Sequence, residues 1–177
     1  PYAALDEGNV FAGGTGNDYV FGGGGDDTIT GGAGGDTAAY FGEKGDYTFA
    51  DDGNDHIVVT DANAADGDAG SDTLSGVETL AFADGGRVLI VGADSAYTTI
   101  QAAITAAEAG DTIVIAEGTY AESLALSKAI TLQAAEGADV VIDPTSGDGL
   151  TISGLAGGNV TLAGITFADG VMGVQVA

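Results

Sequence analysis

The chain has 177 residues, of which 27 are acidic and only three are basic, so its formal net charge at pH 7 is -24. This balance argues against nucleic acids and anionic membrane surfaces as partners, because both are bound through Lys and Arg. A hydrophobic fraction of 45% argues against a disordered acidic tail, and the lack of Cys excludes disulfides and thiolate metal sites. A cation that prefers oxygen ligands, such as calcium, is therefore the first partner to consider.

Three nine-residue repeats follow one another at residues 13–21, 22–30 and 31–39, reading GGTGNDYVF, GGGGDDTIT and GGAGGDTAA. Each has Gly at places one, two and four, Asp at place six, and Val, Ile or Ala at place eight. A degenerate copy precedes them with Asn9 at the sixth place, and residues 67–75 form a later copy with Asp72 there. The pattern resembles the GGxGxDxUx nonapeptide of calcium-binding RTX (repeats-in-toxin) β-rolls.

Each repeat predicts a six-residue turn followed by a three-residue strand whose eighth-place residue points inward. The glycines permit backbone angles and close approaches that a Cβ would prevent. Two repeats make one coil, so calcium lying between stacked turns would meet carboxylates and backbone carbonyls, the ligands it prefers. Asp18 and Asp36 should share one side of the roll, and Asn9 and Asp27 the other. The predicted calcium ligands are Asp18, Asp27, Asp36, Asn9 and Asp72, with the first-place glycines Gly13, Gly22 and Gly31.

Two further points concern the repeats. Asn17 and Asp26, at the fifth place, are expected to offer backbone rather than side-chain oxygen. Tyr19 and Phe21 flank the inward Val20 and should face outward, where they cover the sheet or contact a neighbour or a sugar. The alternative interpretation of the repeats is a flexible Gly-rich linker with scattered Asp. It is disfavoured because Gly, Asp and apolar places coincide in three consecutive repeats.

The segment after the repeats predicts a β-hairpin. Residues 47–49 and 56–60 have strand patterns, and residues 51–54 between them carry a turn signal. Residues 38–87 resemble the segment that follows the repeats in many secreted RTX proteins, including serralysin-type metalloproteases, which implies a roll extended and capped by strands. No HExxH motif accompanies it, and His56, the only His, is expected to be structural or solvated. Further calcium sites and a solvated acidic surface both remain open for Asp51, Asp52, Asp55, Asp61, Asp66 and Asp68.

From residue 88 the chain becomes more apolar. Thr98 and Gln101 have capping-box spacing, one helical face carries apolar side chains, and Gly110 is a natural helix stop. The apolar positions of that face are Ile100, Ala103, Ile104 and Ala107. A strand is predicted at 112–116. Short strands then recur twenty residues apart, at 130–132 and 150–152 and at 140–142 and 160–162, with another starting at 174, which predicts a solenoid.

Residues 99–122 resemble the opening of pectin-lyase-like right-handed β-helices, in which a short amphipathic helix caps the first coil. The resemblance implies a parallel β-helix in the last half of the chain, in a family that includes polysaccharide-cleaving enzymes. Carboxylates that could serve such chemistry are Glu122, Asp143, Asp148 and Asp169. No Lys, Arg or His follows Lys128 to counter an anionic substrate, so catalysis within these residues is disfavoured, and residues 143–144 and 147–149 are more simply turns.

The sequence therefore predicts an all-β protein: a parallel β-roll plus a right-handed parallel β-helix with one short capping helix. Residues 1–87 are assigned to the roll with its capping strands, and 88–177 to the start of the β-helix. We expect a calcium-binding, secreted scaffold segment of a larger RTX protein exported by type I secretion, without membrane insertion. Alternatives are part of a polyuronate lyase, epimerase or hydrolase, and a structural adhesin, surface-layer or fibre component. Polysaccharide or further copies of the chain are possible partners.

Overall fold

The computed structural model describes residues 7–54, 56–63, 65, 70–168 and 173–176. Within these ranges the chain is mostly β, with parallel sheets, one short α-helix and one turn of 3-10 helix. The predicted all-β class is therefore confirmed. None of the helices in these ranges is both long enough and apolar enough to cross a membrane.

The repeats form a two-sided roll in which each strand pairs in parallel with the strand one coil later. Val10 pairs with Thr28 on one side, and Tyr19 pairs with Thr37 on the other. Equivalent residues are 18 positions apart, so two nonapeptides make one coil, as predicted. The strands of the first two coils are β1 (Val10–Thr15), β2 (Tyr19–Phe21), β3 (Thr28–Ala33) and β4 (Thr37–Ala39).

After β4 the chain leaves the roll, forms the predicted hairpin, and returns to build a third coil. A turn of 3-10 helix precedes two antiparallel strands, and the second of these pairs antiparallel with the first strand of the third coil. The third coil then stacks in parallel on β3 and β4. These elements are the 3-10 turn Lys44–Asp46, β5 (Tyr47–Asp51), β6 (Ile57–Asp61), β7 (Ser71–Ser75) and β8 (Thr79–Ala81).

The eighth-place residues point inward, as predicted, and form the core of the roll. Ile29, Ala38 and Leu74 are at most 2% exposed. Aromatic side chains also belong to this core: the ring of Phe82 lies 5.5 Å from that of Tyr40 and 5.0 Å from that of Tyr47. Such rings bury large apolar areas, which compensates for the small Ala side chains and the glycines of the repeats.

The remaining strands form a parallel solenoid with three strands per coil. The elements are β9 (Arg87–Val91), α1 (Ile100–Ala106), β10 (Thr112–Ile115), β11 (Gly118–Tyr120), β12 (Leu124–Leu126), β13 (Thr131–Ala134), β14 (Val140–Ile142), β15 (Leu150–Ile152), β16 (Thr161–Ala163), β17 (Ile165–Phe167) and β18 (Val174–Val176). One row is β9, β10, β13 and β16, the second is β11, β14 and β17, and the third is β12, β15 and β18. The pectin-lyase-like relationship of this solenoid and its handedness stay predictions.

The predicted twenty-residue period is wrong. Thr112 pairs with Thr131, nineteen positions on, whereas Thr131 pairs with Thr161, thirty positions on. The turns between strands vary in length, and every coil contains three similar apolar triplets. The twenty-residue spacing therefore matched strands that belong to different sheets, such as β13 and β15.

One seven-stranded sheet, here called the shared sheet, runs through the roll and the solenoid in the order β16-β13-β10-β9-β8-β4-β2. The strand direction reverses between β8 and β9, where Leu80 lies opposite Val88. From β9 and β10, alternate residues enter different cores, so both faces of these strands are buried. Val88, Ile90 and Val114 pack in the roll core, and Leu89, Val91, Ile113 and Ile115 pack in the solenoid core. The predicted boundary at residue 88 lies within β9.

The helix α1 buries its predicted apolar face in the solenoid core, but its N-cap is not the predicted one. Thr99, rather than Thr98, accepts a hydrogen bond from the amide of Ala102 at 3.2 Å. The side chain of Gln101 bonds both backbone groups of Ala125 in the neighbouring coil. Glu122, a carboxylate from another segment, instead accepts from the amides of Ile100 and Gln101 in the first turn.

The helix ends at Ala106, before the predicted stop at Gly110. Lys128 Nζ donates to three carbonyls of the last turn at 2.7–2.9 Å, and Arg87 donates to the carbonyl of Ala106 at 3.3 Å. The hydrogen bond from Arg87 to Asp111 raises the pKa of the guanidinium despite partial burial. Two of the three basic residues are thus used at the C-terminal end of this helix, where cations are favoured.

Candidate metal centre

The sixth-place residues stack into two hydrogen-bonded ladders, one on each side of the roll. On the first side, the amide of Asn9 donates to Asp27 Oδ1 at 2.7 Å, and the amide of Asp27 donates to Asp72 Oδ1 at 2.9 Å. This is the predicted alignment of Asn9 and Asp27, and it extends to the later copy across the inserted hairpin.

On the second side, the amide of Asp18 donates to Asp36 Oδ1 at 2.8 Å. The amide of Asp36 in turn donates to Glu78 Oε2 at 2.6 Å. The predicted alignment of Asp18 with Asp36 is thus confirmed, and each carboxylate uses one oxygen to bind the amide of the preceding coil.

The second oxygen of three ladder carboxylates has no such partner. Within the part of the chain that the structure describes, Oδ2 of Asp18, Asp27 and Asp36 is buried and accepts no hydrogen bond. Asp27 is 2% exposed and Asp36 is 1% exposed. Burying a carboxylate oxygen without a partner costs roughly several kcal/mol of folding free energy, unless a cation or a proton neutralises the charge. In Asp27 and Asp36 a backbone amide holds the carboxylate through Oδ1, which leaves Oδ2 directed at a site that suits a cation.

The first-place glycines make room for these carboxylates. A Cβ added to Gly13 would lie 2.5 Å from Asp18 Oδ2, and one added to Gly31 would lie 2.6 Å from Asp36 Oδ2. A Cβ on Gly22 would overlap Asp27 Oδ2 in the same way. Each Asp side chain therefore folds back over the first Gly of its own repeat. Whether the carbonyls of these glycines are ligands stays a prediction.

The second-place and fourth-place glycines have a different role. All six adopt positive φ values between 94° and 148°, a region that residues with a Cβ rarely enter. This conformation produces the tight turn that carries the carboxylate. The six residues are Gly14, Gly16, Gly23, Gly25, Gly32 and Gly34.

The fifth-place side chains form a second set of contacts between coils. Asn17 Oδ1 accepts from the amide of Gly35 at 3.0 Å, and Asp26 Oδ1 accepts from the amide of Ser71 at 2.9 Å. These side-chain oxygens hold the turns together, and whether the backbone carbonyls of Asn17 and Asp26 bind calcium, as expected, stays a prediction.

The described residues contain no group of three or more acidic or His side chains close enough to hold a metal by themselves. A cation in these turns would need backbone carbonyls beside the carboxylates. Calcium accepts such mixed oxygen sets, whereas transition metals favour nitrogen or sulfur ligands. The donors present therefore fit calcium.

Sequence reasoning missed Glu78, which ends the second ladder and is 3% exposed. A signal was available, because Asp72-Thr73-Leu74 is repeated as Glu78-Thr79-Leu80. The spacing is six residues instead of nine, since the Gly-rich turn is absent. A search for a nine-residue period could not find it.

The other acidic residues of the hairpin stabilise turns. Asp51 Oδ1 accepts from the amide of Gly53 at 2.7 Å, and its Oδ2 accepts from the amide of Glu117 in the solenoid at 2.7 Å. Asp61 Oδ1 accepts from the amide of Asn63 at 2.6 Å. The further candidates Asp55, Asp66 and Asp68 lie outside the described residues, as does Gly67, the first residue of the later copy.

Asp52 and His56 form a partly exposed pair at the hairpin turn, with Asp52 Oδ2 2.9 Å from His56 Nδ1. Burial acts to raise the pKa of Asp52, but hydrogen bonds from the His56 side chain and from the backbone amides of Asn54 and His56 outweigh it and lower the pKa. The lone His thus has the structural role that was expected.

The carboxylates considered for carbohydrate chemistry are dispersed. Glu122 accepts from the amides of Ile100 and Gln101 at 2.9 and 3.0 Å, so both of its oxygens cap α1. Asp143 and Asp148 are half-buried in the connection between β14 and β15, and Asp169 lies outside the described residues.

On the roll, Tyr19 and Phe21 face outward as predicted, at 70% and 38% exposure.

A family model matches the repeats but not the rest of the chain. Residues 5–38 match the model of the RTX calcium-binding nonapeptide repeat, in four copies. The chain thus carries repeats of a calcium-binding type over about a fifth of its length. Comparison with curated proteins finds no match. A solved structure similar to this chain is an extracellular lipase from Serratia marcescens, with 15% identity and a TM-score of 0.28. The match covers 91% of this chain but only 32% of the lipase.

Proposed function

We propose that residues 1–87 form a calcium-binding β-roll, that residues 88–177 form a parallel β-helix continuous with it, and that together they act as a secreted scaffold in a larger RTX protein. One observation carries the proposal. The repeats bury Oδ2 of Asp18, Asp27 and Asp36 without a hydrogen-bond partner in the described protein, in turns where the neighbouring first-place glycine leaves space for the carboxylate.

The residues that would hold calcium are Asp27 with Asp72 on one side and Asp18 with Asp36 on the other, with carbonyls of the Gly-rich turns completing the ligand set. Calcium supplies the positive charge that makes burial of these carboxylates favourable. Without it, carboxylate repulsion and the conformational entropy of the glycines oppose the ordered turn. Binding and folding of the repeats are therefore linked.

This linkage supports a function outside the cell. Extracellular calcium modules bind with dissociation constants of about 10⁻⁴–10⁻³ M, and cytosolic calcium is far below that range. The repeats would stay loose during synthesis and become ordered after export. The RTX match at residues 5–38 and the net charge of -24 agree with this proposal.

A calcium titration followed by far-UV circular dichroism tests the proposal, with magnesium as the ion control. We expect a cooperative gain of β signal near millimolar calcium and none with magnesium. Asp27→Asn should raise the calcium midpoint, whereas Asp139→Asn, an exposed Asp of the solenoid, should leave it unchanged. A spectrum that is the same in chelator, calcium and magnesium would rule the proposal out.

A further inference from the structure

Glu78 occupies the last position of the second ladder but is bonded differently from the residues before it. Its Oε2 accepts from the amide of Asp36 at 2.6 Å, and its Oε1 accepts from the amide of Ala96 at 2.8 Å. Both oxygens of this buried carboxylate are therefore bound by backbone amides. A buried carboxylate whose two oxygens both accept hydrogen bonds is satisfied by the protein itself and needs no neighbouring cation.

The partners of Glu78 belong to three different parts of the fold. Asp36 lies in the second coil of the roll, and Ala96 lies in the segment that leads to α1. The carbonyl of Glu78 accepts from the amide of Ile90 at 3.0 Å, within β9 of the shared sheet. The side chain and the carbonyl of this one residue thus join the repeats to the start of the solenoid.

Beyond Glu78, the buried polar groups that the structure describes have protein partners. Ser95 donates to the carbonyl of Ile90 at 2.9 Å, Asp111 is paired with Arg87 at 2.6 Å, and Thr112 bonds Lys44 at 3.0 Å. The core of this part is otherwise apolar. By contrast, the buried carboxylate oxygens of Asp18, Asp27 and Asp36 accept no hydrogen bond within the described chain.

We propose that Glu78 is a positioning residue that closes the second ladder without calcium, so that the solenoid beyond it does not depend on the ion. The solenoid folds beforehand and provides the surface on which the calcium-dependent coils assemble. This inference rests on the proposed calcium-binding function. It adds that the calcium response is confined to one end of the molecule.

Hydrogen exchange of the full chain, measured by mass spectrometry in chelator and in calcium, tests the inference. Amides of residues 10–39 should exchange at least about 100-fold faster in chelator than in calcium, while amides of β10, β13 and β14 should be equally protected in both. If the solenoid strands also lose protection in chelator and regain it with calcium, this inference fails and the proposed function stands. If no region responds to calcium, the proposed function itself fails.

Glu78→Gln tests the role of the carboxylate, and Glu122→Gln is its matched control. Both glutamates accept from two backbone amides, but only Glu78 belongs to a ladder. Glu78→Gln should raise the calcium midpoint of residues 28–39 about two- to fivefold. Loss of one charge-assisted hydrogen bond changes the folding equilibrium of the repeats roughly tenfold. The midpoint shifts by less than this factor because several ions bind as the repeats fold. Glu122→Gln should not shift it, and equal midpoints in both variants would refute the role of Glu78. The wild-type exchange pattern remains decisive if Glu78→Gln does not fold.

Discussion

Replacing Gly22 by Ala tests whether the Asp27 carboxylate needs the space beside Gly22, because the substitution fills that space without straining the backbone. Gly22 does not have a positive φ, so Ala fits its backbone conformation. The added Cβ would overlap Asp27 Oδ2 and lie 3.3 Å from its Cγ. The effect of the substitution should therefore come from displacement of the carboxylate alone.

The structure indicates how large this effect should be. Ordinary contact begins near 3.4 Å, so Asp27 Oδ2 must move by about 1 Å or more. Calcium–oxygen distances span only about 2.3–2.6 Å, so a shift of that size removes the oxygen from the ion. We expect calcium affinity to fall about 10- to 100-fold, the range seen when groups that hold metal ligands are removed, which equals roughly 1.4–2.7 kcal/mol.

Isothermal titration calorimetry and urea unfolding, each with calcium and with chelator, would measure the change. Gly45→Ala is the matched control, because Gly45 lies outside the repeats, its φ is not positive, and nothing lies within 4 Å of its added Cβ. Gly22→Ala should be less stable than wild type in calcium and no less stable in chelator. If both variants bind calcium as the wild type does, the placement of the Asp27 carboxylate over Gly22 is irrelevant to binding, and the reasoning is refuted.

Two further predictions concern parts of the chain outside the repeats. Lys128→Met removes the donor to the last turn of α1 and should lower the free energy of unfolding in urea by about 1–2 kcal/mol, without changing the calcium midpoint. An altered midpoint would contradict the separation of the two regions. Because the pKa of Asp52 is lowered by folding, its carboxylate stabilises the hairpin at pH values above 3.8, the ordinary pKa of Asp. This contribution is lost as the pH falls through the lowered pKa. The stability advantage of wild type over Asp52→Asn, expected to be under about 1 kcal/mol, should therefore shrink as the pH falls below 3.8 towards the lowered pKa, and thermal unfolding of both proteins over a series of acidic pH values would show whether it does.

The features that sequence reasoning predicted correctly are those that depend on a short local pattern. The alignment of Asp18 with Asp36 follows from a repeat that contains its own turn, and the eighth-place Ile29 and Leu74 follow from strand alternation. Glu78 was not predicted as a ladder residue because its repeat has lost the Gly-rich turn. Its position depends on stacking against Asp36 and not on sequence spacing.

Features that depend on distant contacts were predicted poorly. The cap of α1 was misplaced because Glu122, more than twenty residues away, binds the first amides of the helix. The pairing of β13 with β16 depends on turn lengths that apolar triplets do not reveal. The continuous apolar runs of β9 and β10 were a usable signal, since strands buried on both faces lack alternation, but they do not say which core each face enters.

The reversal of strand direction between β8 and β9 limits how such a protein can change in length during evolution. A nonapeptide inserted between β7 and β8 would place β8 on the side of the roll where β6 already pairs with β7, so β8 could no longer lie beside β9. The apolar side chains of β9 would then meet the wrong core. Repeats added before β1 meet no such restriction, because every strand that follows them keeps its partners. Rolls of this kind should therefore gain or lose repeats far from the solenoid and not next to it.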